Sequence, residues 1–214
     1  MGSDLLMTFH SPRKVVLASA SPSRHRLLVS AGIHPTIVVS GVDEEDPAIT
    51  SLSPSEMVVA LAILKAHTVR KLVDHESLII GADSTFEFEG QSLGKPETRE
   101  NAIARSKALR GKSGLLHTGH CIIDNKQGIE ISDISTAKVF FADMTDGEIE
   151  KYADSGEPLN VAGGFTLDGL SAPFIERIEG DPSGIIGLSL PLIRRAIISL
   201  GLAWTDIAEM AVEK

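Results

Sequence analysis

The chain has 214 residues, 43% of them apolar and 23% charged, an ordinary globular composition that can bury one large core or two small lobes. A net charge of −9 argues against long nucleic acid as a partner, yet leaves room for a small anion gathered by local cations. One cysteine, Cys121, excludes an internal disulfide, and no run approaches the roughly 20 apolar residues of a membrane span.

Residues 1–13 read as an N-terminal extension or tag remnant without the apolar stretch of a secretory signal, so a cytoplasmic protein is expected. "KVVLASA" (14–20) is a short apolar strand. It breaks into a helix that Ser21 caps, Pro22 opens and Gly32 ends. "PTIVVSGV" (35–42) reads as the next strand. Ser53 and Glu56 form a capping box for a strong helix over 53–73, with Met57, Leu61, Leu64 and Thr68 at helical spacing. "SLIIGAD" (77–83) is a buried strand ending in Asp83, and "TFEFEGQSLG" alternates like a hairpin turning at Glu89-Gly90.

A helix over 98–111 follows, then two strands separated by "NKQG", then a short capped helix in "TDGEIEKYADSG". Residues 157–184 are glycine-rich and read as irregular. "LSLPLIRRAIISLG" forms a last helix despite Pro191. Strands alternating with helices around a hairpin-rich middle make the fold α/β or mixed α+β. The expected architecture is a mixed twisted sheet, with residues 14–214 as one domain of two lobes.

Four stretches carry candidate chemistry. In "LASASPSRHR" a strand feeds a helix N-terminus, whose free N–H groups and dipole favour an anion. Ser19 and Ser21 add hydroxyls there, and Arg24 adds a fork suited to phosphate oxygens. The plain alternative is a strand, a cap and an exposed base. In "SGVDEEDP" three acids after an apolar strand are usually a solvated loop; alternatively, one faces a cleft as a hard ligand for magnesium. Lys65, near the apolar face of its helix, ordinarily snorkels to the rim, where it would also neutralise a phosphate. Asp83 at its strand end can ligate a metal or take a proton from water, and a hairpin would return Lys95 to the same edge; a surface Asp and a turn lysine are the equal alternative. His117 and His120 lie three apart on a strand and so point to opposite faces, which rejects a zinc pair.

Eight segments in order, from "LASASPSR" through "VDEE", "LAILKA", "IIGADS", "LGKPET", "TGHCII" and "YADSGEPLNVAGGF" to "FIERIEGDPSGIIGLSL", resemble the Maf family of nucleotide pyrophosphatases. The resemblance spans about Val15 to Leu192. It implies an elongated, inosine-triphosphate-pyrophosphatase-like fold with two lobes around a central cleft, commonly dimeric. It also implies hydrolysis of a nucleoside triphosphate, standard or modified, to monophosphate and pyrophosphate with a divalent metal, magnesium or else manganese. Carried over by position, Asp83 is the general base, Glu44 its acidic metal-holding partner, and Ser19, Arg24, Lys65 and Lys95 handle phosphate, with the Ser21 hydroxyl beside them. Ser23, Ser84 and Asp168 fall at base-selecting positions and match neither of two known patterns, one for dTTP and UTP and the other for 7-methyl-GTP. Gly114 stands where a strand histidine is usual. The family's link to septum formation supplies the alternative, a non-catalytic nucleotide-binding regulator; a degenerate binder could lose Asp83, Glu44 or Lys95, and all three are present.

Overall fold

The computed structural model describes residues 13–209, so the expected N-terminal extension lies outside them save for Arg13. Seven strands form one mixed sheet: β1 (Val15–Ala18), β2 (Thr36–Ile37), β3 (Leu78–Phe88), β4 (Gln91–Leu93), β5 (Ser113–Asp124), β6 (Ile129–Phe141) and β7 (Ile175–Glu179). Their order is β2-β1-β3-β5-β6-β7, with β4 paired to β3. β1 runs parallel to β2 and β3, and every other pairing is antiparallel. The helices are α1 (Pro22–Ser30), α2 (Pro47–Thr50), α3 (Pro54–Arg70), α4 (Arg99–Leu109), α5 (Asp146–Asp154), α6 (Pro182–Ile186) and α7 (Leu190–Ser199). None is long and apolar enough to cross a membrane.

Alternation along the strands gives the sheet two packed faces. Val16, Ile79, Cys121 and Ile123 meet Ala62, Ala66 and Val69 of α3. Leu17, Ile80 and Ile122 on the other face meet Leu28 of α1 and Ile193 and Ile197 of α7. Each such fully buried aliphatic side chain contributes roughly 1.5–3 kcal/mol. Cys121 is wholly buried there, and burial beside Glu130 pushes its thiol up to about 12. At the far end of the sheet Phe86, Phe141 and Phe165 pack edge to face, with ring centroids 5.0–5.7 Å apart.

The approach of α3 depends on two glycines. A Cβ on Gly81 would lie 2.3 Å from the Ala62 carbonyl oxygen, and one on Gly119 would lie 2.2 Å from that of Val58. Only glycine lets the helix backbone settle this close to β3 and β5.

The caps form as the sequence indicates: Ser21 for α1, the Ser53–Glu56 box for α3, and left-handed Glu89 (φ 49°) and Gly90 (φ 79°) in the hairpin. Pro191 does not oppose α7. Ser189 caps that helix, and Pro191 is its second residue, where an N–H would have no intrahelical partner.

Three expectations need correction. The strand over 35–42 shrinks to Thr36–Ile37, an exposed edge, after which the chain leaves the sheet and Val39 is 58% exposed. The supposedly irregular stretch contains β7 and α6. β7 escapes pattern reading because "IERIE" is a charged edge strand, and α6, at five residues, is too short to show a period. Finally, Asp83 does not end a strand. β3 continues through it to Phe88, paired with β5 from Leu78 to Glu87 without a break. The strand that ends there is β1: its register with β3 stops at Gly81, and pairing with β4 starts only at Phe86, opposite Leu93. Residues 82–85 therefore have no strand neighbour on that side.

Candidate active site

The cleft opens at this gap. It has a volume of about 840 Å³, within the range of ligand sites, and all ten residues singled out in the sequence line it. They arrive from the β1–α1 turn, the loop after β2, α3, β3, the segment after β4, and the loop that follows Phe165.

At its centre stands Lys65. Its side chain is only 8% exposed, so it does not snorkel to the rim. The ammonium lies 2.6 Å from Asp83 Oδ1 and 2.7 Å from Glu44 Oε1. Glu44 is thus the member of the acidic run that turns inward, although its own side chain remains half-exposed. Two carboxylate oxygens from different elements converge on one positive charge. That donor set suits a hard divalent cation, which takes one or two carboxylates and completes its shell with phosphate oxygens and water. Among the described residues no third carboxylate, histidine or cysteine completes a metal cluster.

Arg24 differs from the free phosphate fork expected of it. It is buried, and its guanidinium fills the gap beside β3. Nε donates to Gly187 O at 2.9 Å, Nη1 to Ser19 Oγ at 3.0 Å and Ala82 O at 2.8 Å, and Nη2 to Ser84 Oγ at 3.0 Å. Four of its five N–H groups are engaged by the protein, so it mainly supplies fixed charge and holds the floor. Burial pulls its pKa below the ordinary value, while Asp83 and Glu44 pull the other way.

Ser84 is also committed. Thr118 Oγ1 gives its proton to Gly184 O at 2.8 Å, so across the 2.9 Å contact Ser84 is the donor, and it already accepts from Arg24. Ser84 therefore belongs to the floor and shares no partner with the other two base-selecting candidates. Ser23 and Asp168 meet through Arg26, whose Nη2 is 3.0 Å from Ser23 Oγ and 3.5 Å from Asp168 Oδ2.

Ser19 Oγ accepts from the Ser21 N–H and from Arg24, which leaves its own proton free to donate. Ser21 caps α1 through the Arg24 N–H. Lys95 is exposed and makes no ion pair among the described residues. The two histidines have separate surroundings: His117 contacts Glu87 and Thr136, whereas His120 accepts the Ser189 N–H at 2.8 Å. Gly114 is explained by packing. A Cβ there would lie 2.4 Å from the Phe86 ring, so the aromatic cluster occupies the space a larger residue would need.

Sequence reading missed Gly187, whose carbonyl accepts from Arg24, and Thr118 and Gly184, which hold Ser84 in place from far along the chain. It also missed Arg26 and Glu157. The signal for Glu157 was an acid directly after a left-handed glycine in "SGEP".

Fold and cleft together define a mixed α/β protein with a ligand-sized, highly charged cleft at a break in strand pairing. The chain belongs to the Maf family: the family model described as Maf-like protein matches residues 14–200. A nucleoside triphosphate pyrophosphatase of Streptomyces coelicolor is 50% identical over 202 residues, covering 94% of this chain and 97% of its own. One from Salinispora tropica is 48% identical over 200 residues, covering 92% and 88%. A solved nucleoside-triphosphatase, a dITP/XTP pyrophosphatase from Mycobacterium abscessus, aligns over 92% of this chain and 100% of its own at 14% identity and a TM-score of 0.36.

Proposed function

We propose that the chain hydrolyses a nucleoside triphosphate to the monophosphate and pyrophosphate, in the cytoplasm and with magnesium or manganese as cofactor. The observation that carries the reading is the convergence of Asp83, Glu44 and Lys65 at the gap in β1–β3 pairing. Relatives at about half identity, named nucleoside triphosphate pyrophosphatases, support the reaction class.

Lys65 occupies Oδ1 of Asp83, and no hydrogen bond among the described residues occupies Oδ2. That oxygen takes a proton from water as the water oxygen attacks the α-phosphorus. The new P–O bond forms as the bond from the α-phosphorus to the α–β bridging oxygen breaks, and pyrophosphate leaves with the electron pair. A divalent cation held by Glu44 and Asp83 would supply charge neutralisation and acidify bound water. Lys95, the Ser19 hydroxyl and the N-terminus of α1 suit the triphosphate oxygens, and the buried charge of Arg24 favours their approach. Asp168, with Arg26 and Ser23, faces the nucleobase. A homodimer completes the proposal, on family likeness alone.

The test is pyrophosphate release from dTTP, UTP, GTP and 7-methyl-GTP with magnesium. Asp83→Asn keeps the shape and removes the base, and turnover is expected to fall about 10²–10⁴-fold. Near-wild-type turnover in that variant at saturating magnesium would sink Asp83 as base. No release from any substrate by the folded wild type would favour the regulator.

A further inference from the structure

Asp168 sits at the tip of a loop whose geometry is set by a residue outside it. The neck is closed by Thr166 and Ser171. The Thr166 N–H donates to Ser171 Oγ at 2.7 Å, and the Ser171 hydroxyl donates back to Thr166 O at 2.7 Å. Inside the turn lies the carboxylate of Glu157. The Leu170 N–H reaches both its oxygens at 2.9 Å, and the hydroxyls of Thr166 and Tyr152 donate to Oε1 at 2.6 and 3.2 Å. The loop wraps so closely that a Cβ on Gly169 would lie 2.6 Å from Glu157 Oε2. Burial alone would push this carboxyl's pKa up, but the hydrogen bonds from Leu170, Thr166 and Tyr152 outweigh it and hold the group below the ordinary carboxylate value, so it is ionised. Across from the tip, Arg26 on α1 meets Asp168.

We infer that Glu157 is the positioning residue for base selection: its carboxylate moulds the Thr166–Ser171 loop so that Asp168 is presented to the nucleobase. This rests on the proposed function, in which Asp168 faces the base. A carboxylate can read N–H donors on a base edge only if its place is fixed to a fraction of an ångström, and an exposed loop lacks that precision unless something inside it supplies it. Glu157 does so with acceptors only. An amide at 157 would offer one acceptor oxygen to three donors and turn its own N–H groups toward the Leu170 N–H, which releases the loop. Asp83, Lys65 and Glu44 stand on β3, α3 and the loop after β2, so the hydrolytic centre keeps its geometry.

The test compares wild type, Glu157→Gln, Asp168→Ala and the double variant, with kcat and KM for GTP, 7-methyl-GTP, dTTP and UTP in magnesium. Glu157→Gln should shrink the kcat/KM ratio between best and worst substrates about tenfold, through KM rather than kcat. Asp168→Ala should do the same, and the double variant should be no worse than Asp168→Ala. Thr166→Val, which removes one donor and keeps the carboxylate, should shift the ratio in the same direction by less, and it decides the matter if Glu157→Gln does not fold. A uniform loss on all four substrates, or losses that add in the double variant, would overturn the inference in favour of a merely structural role. An Asp168→Ala protein with unchanged ranking would instead remove the base-facing reading of Asp168, and the inference with it. A ranking altered by Asp168→Ala but not by either loop variant would remove the inference alone.

Discussion

The two ends of the cleft are built differently. At the proposed hydrolytic end, Lys65, Asp83 and Arg24 are buried on α3, β3 and α1; Lys65 and Arg24 each meet two or more partners from distant parts of the chain, and Asp83 is held by Lys65 and by its place within a paired strand. At the other end, Asp168 rides a loop closed at its neck by Thr166 and Ser171 and filled by one half-buried carboxylate, and its ion pair with Arg26 lies largely in solvent. The first end is anchored in regular elements on both sides of the gap. The second hangs on Glu157. On the proposed function, the hydrolytic chemistry would sit on regular elements packed through the core, and substrate discrimination on a loop that can be retuned.

The contrast predicts that replacements at the hydrolytic end cost turnover and those at the loop cost discrimination. Asp83→Asn carries the largest expected loss, as stated above. Lys65→Met should lower kcat/KM about 10²-fold by removing charge stabilisation. Because the ammonium no longer competes for Glu44 and Asp83, the variant should bind Mn²⁺ more tightly without nucleotide; weaker binding by calorimetry would refute that competition.

Next in size is a pH effect on the scaffold. Burial, with the charge of Arg24 nearby, lowers the pKa of His120 from 6.5 to about 4. Above pH 6.5 the group contributes no penalty. As pH falls from there toward 4, the unfolded chain binds a proton that the folded one refuses, so stability declines by roughly 3 kcal/mol in all. His120→Gln keeps an acceptor for the Ser189 N–H and should flatten that part of the urea-stability profile against wild type. Identical slopes would clear His120 of the effect.

Gly119→Ala forces a Cβ into the Val58 carbonyl and should destabilise by about 1–3 kcal/mol in thermal melts, with activity lost too because α3 carries Lys65. Arg26→Ala should change least, about 0.2–1 kcal/mol in substrate ranking with no change in melting, as befits an exposed pair.

Most of the helix caps and the Glu89-Gly90 hairpin were legible because short-range chemistry decides them. The ten cleft residues were legible as a set through the family resemblance; taken singly, each candidate stretch had a plain structural alternative. Partnership was not. Nothing local says that the Arg24 fork is engaged by Ala82 and Gly187, or that Lys65 lies between Glu44 and Asp83 rather than at the rim. β7 was hidden because an exposed edge strand alternates too weakly. Asp83 was misplaced at a strand end because Gly81 looks like punctuation, whereas its purpose is to admit α3.

The break in pairing along residues 82–85 has one more consequence. Unpaired backbone on a strand normally invites another chain to add itself, and proteins guard such edges with charge or cover. Here the bare stretch lies within the sheet, between the C-terminal ends of β1 and β4, and Arg24 already caps the Ala82 carbonyl. The molecule thus keeps main-chain groups open to a small visitor where no intruding strand can lie down beside them.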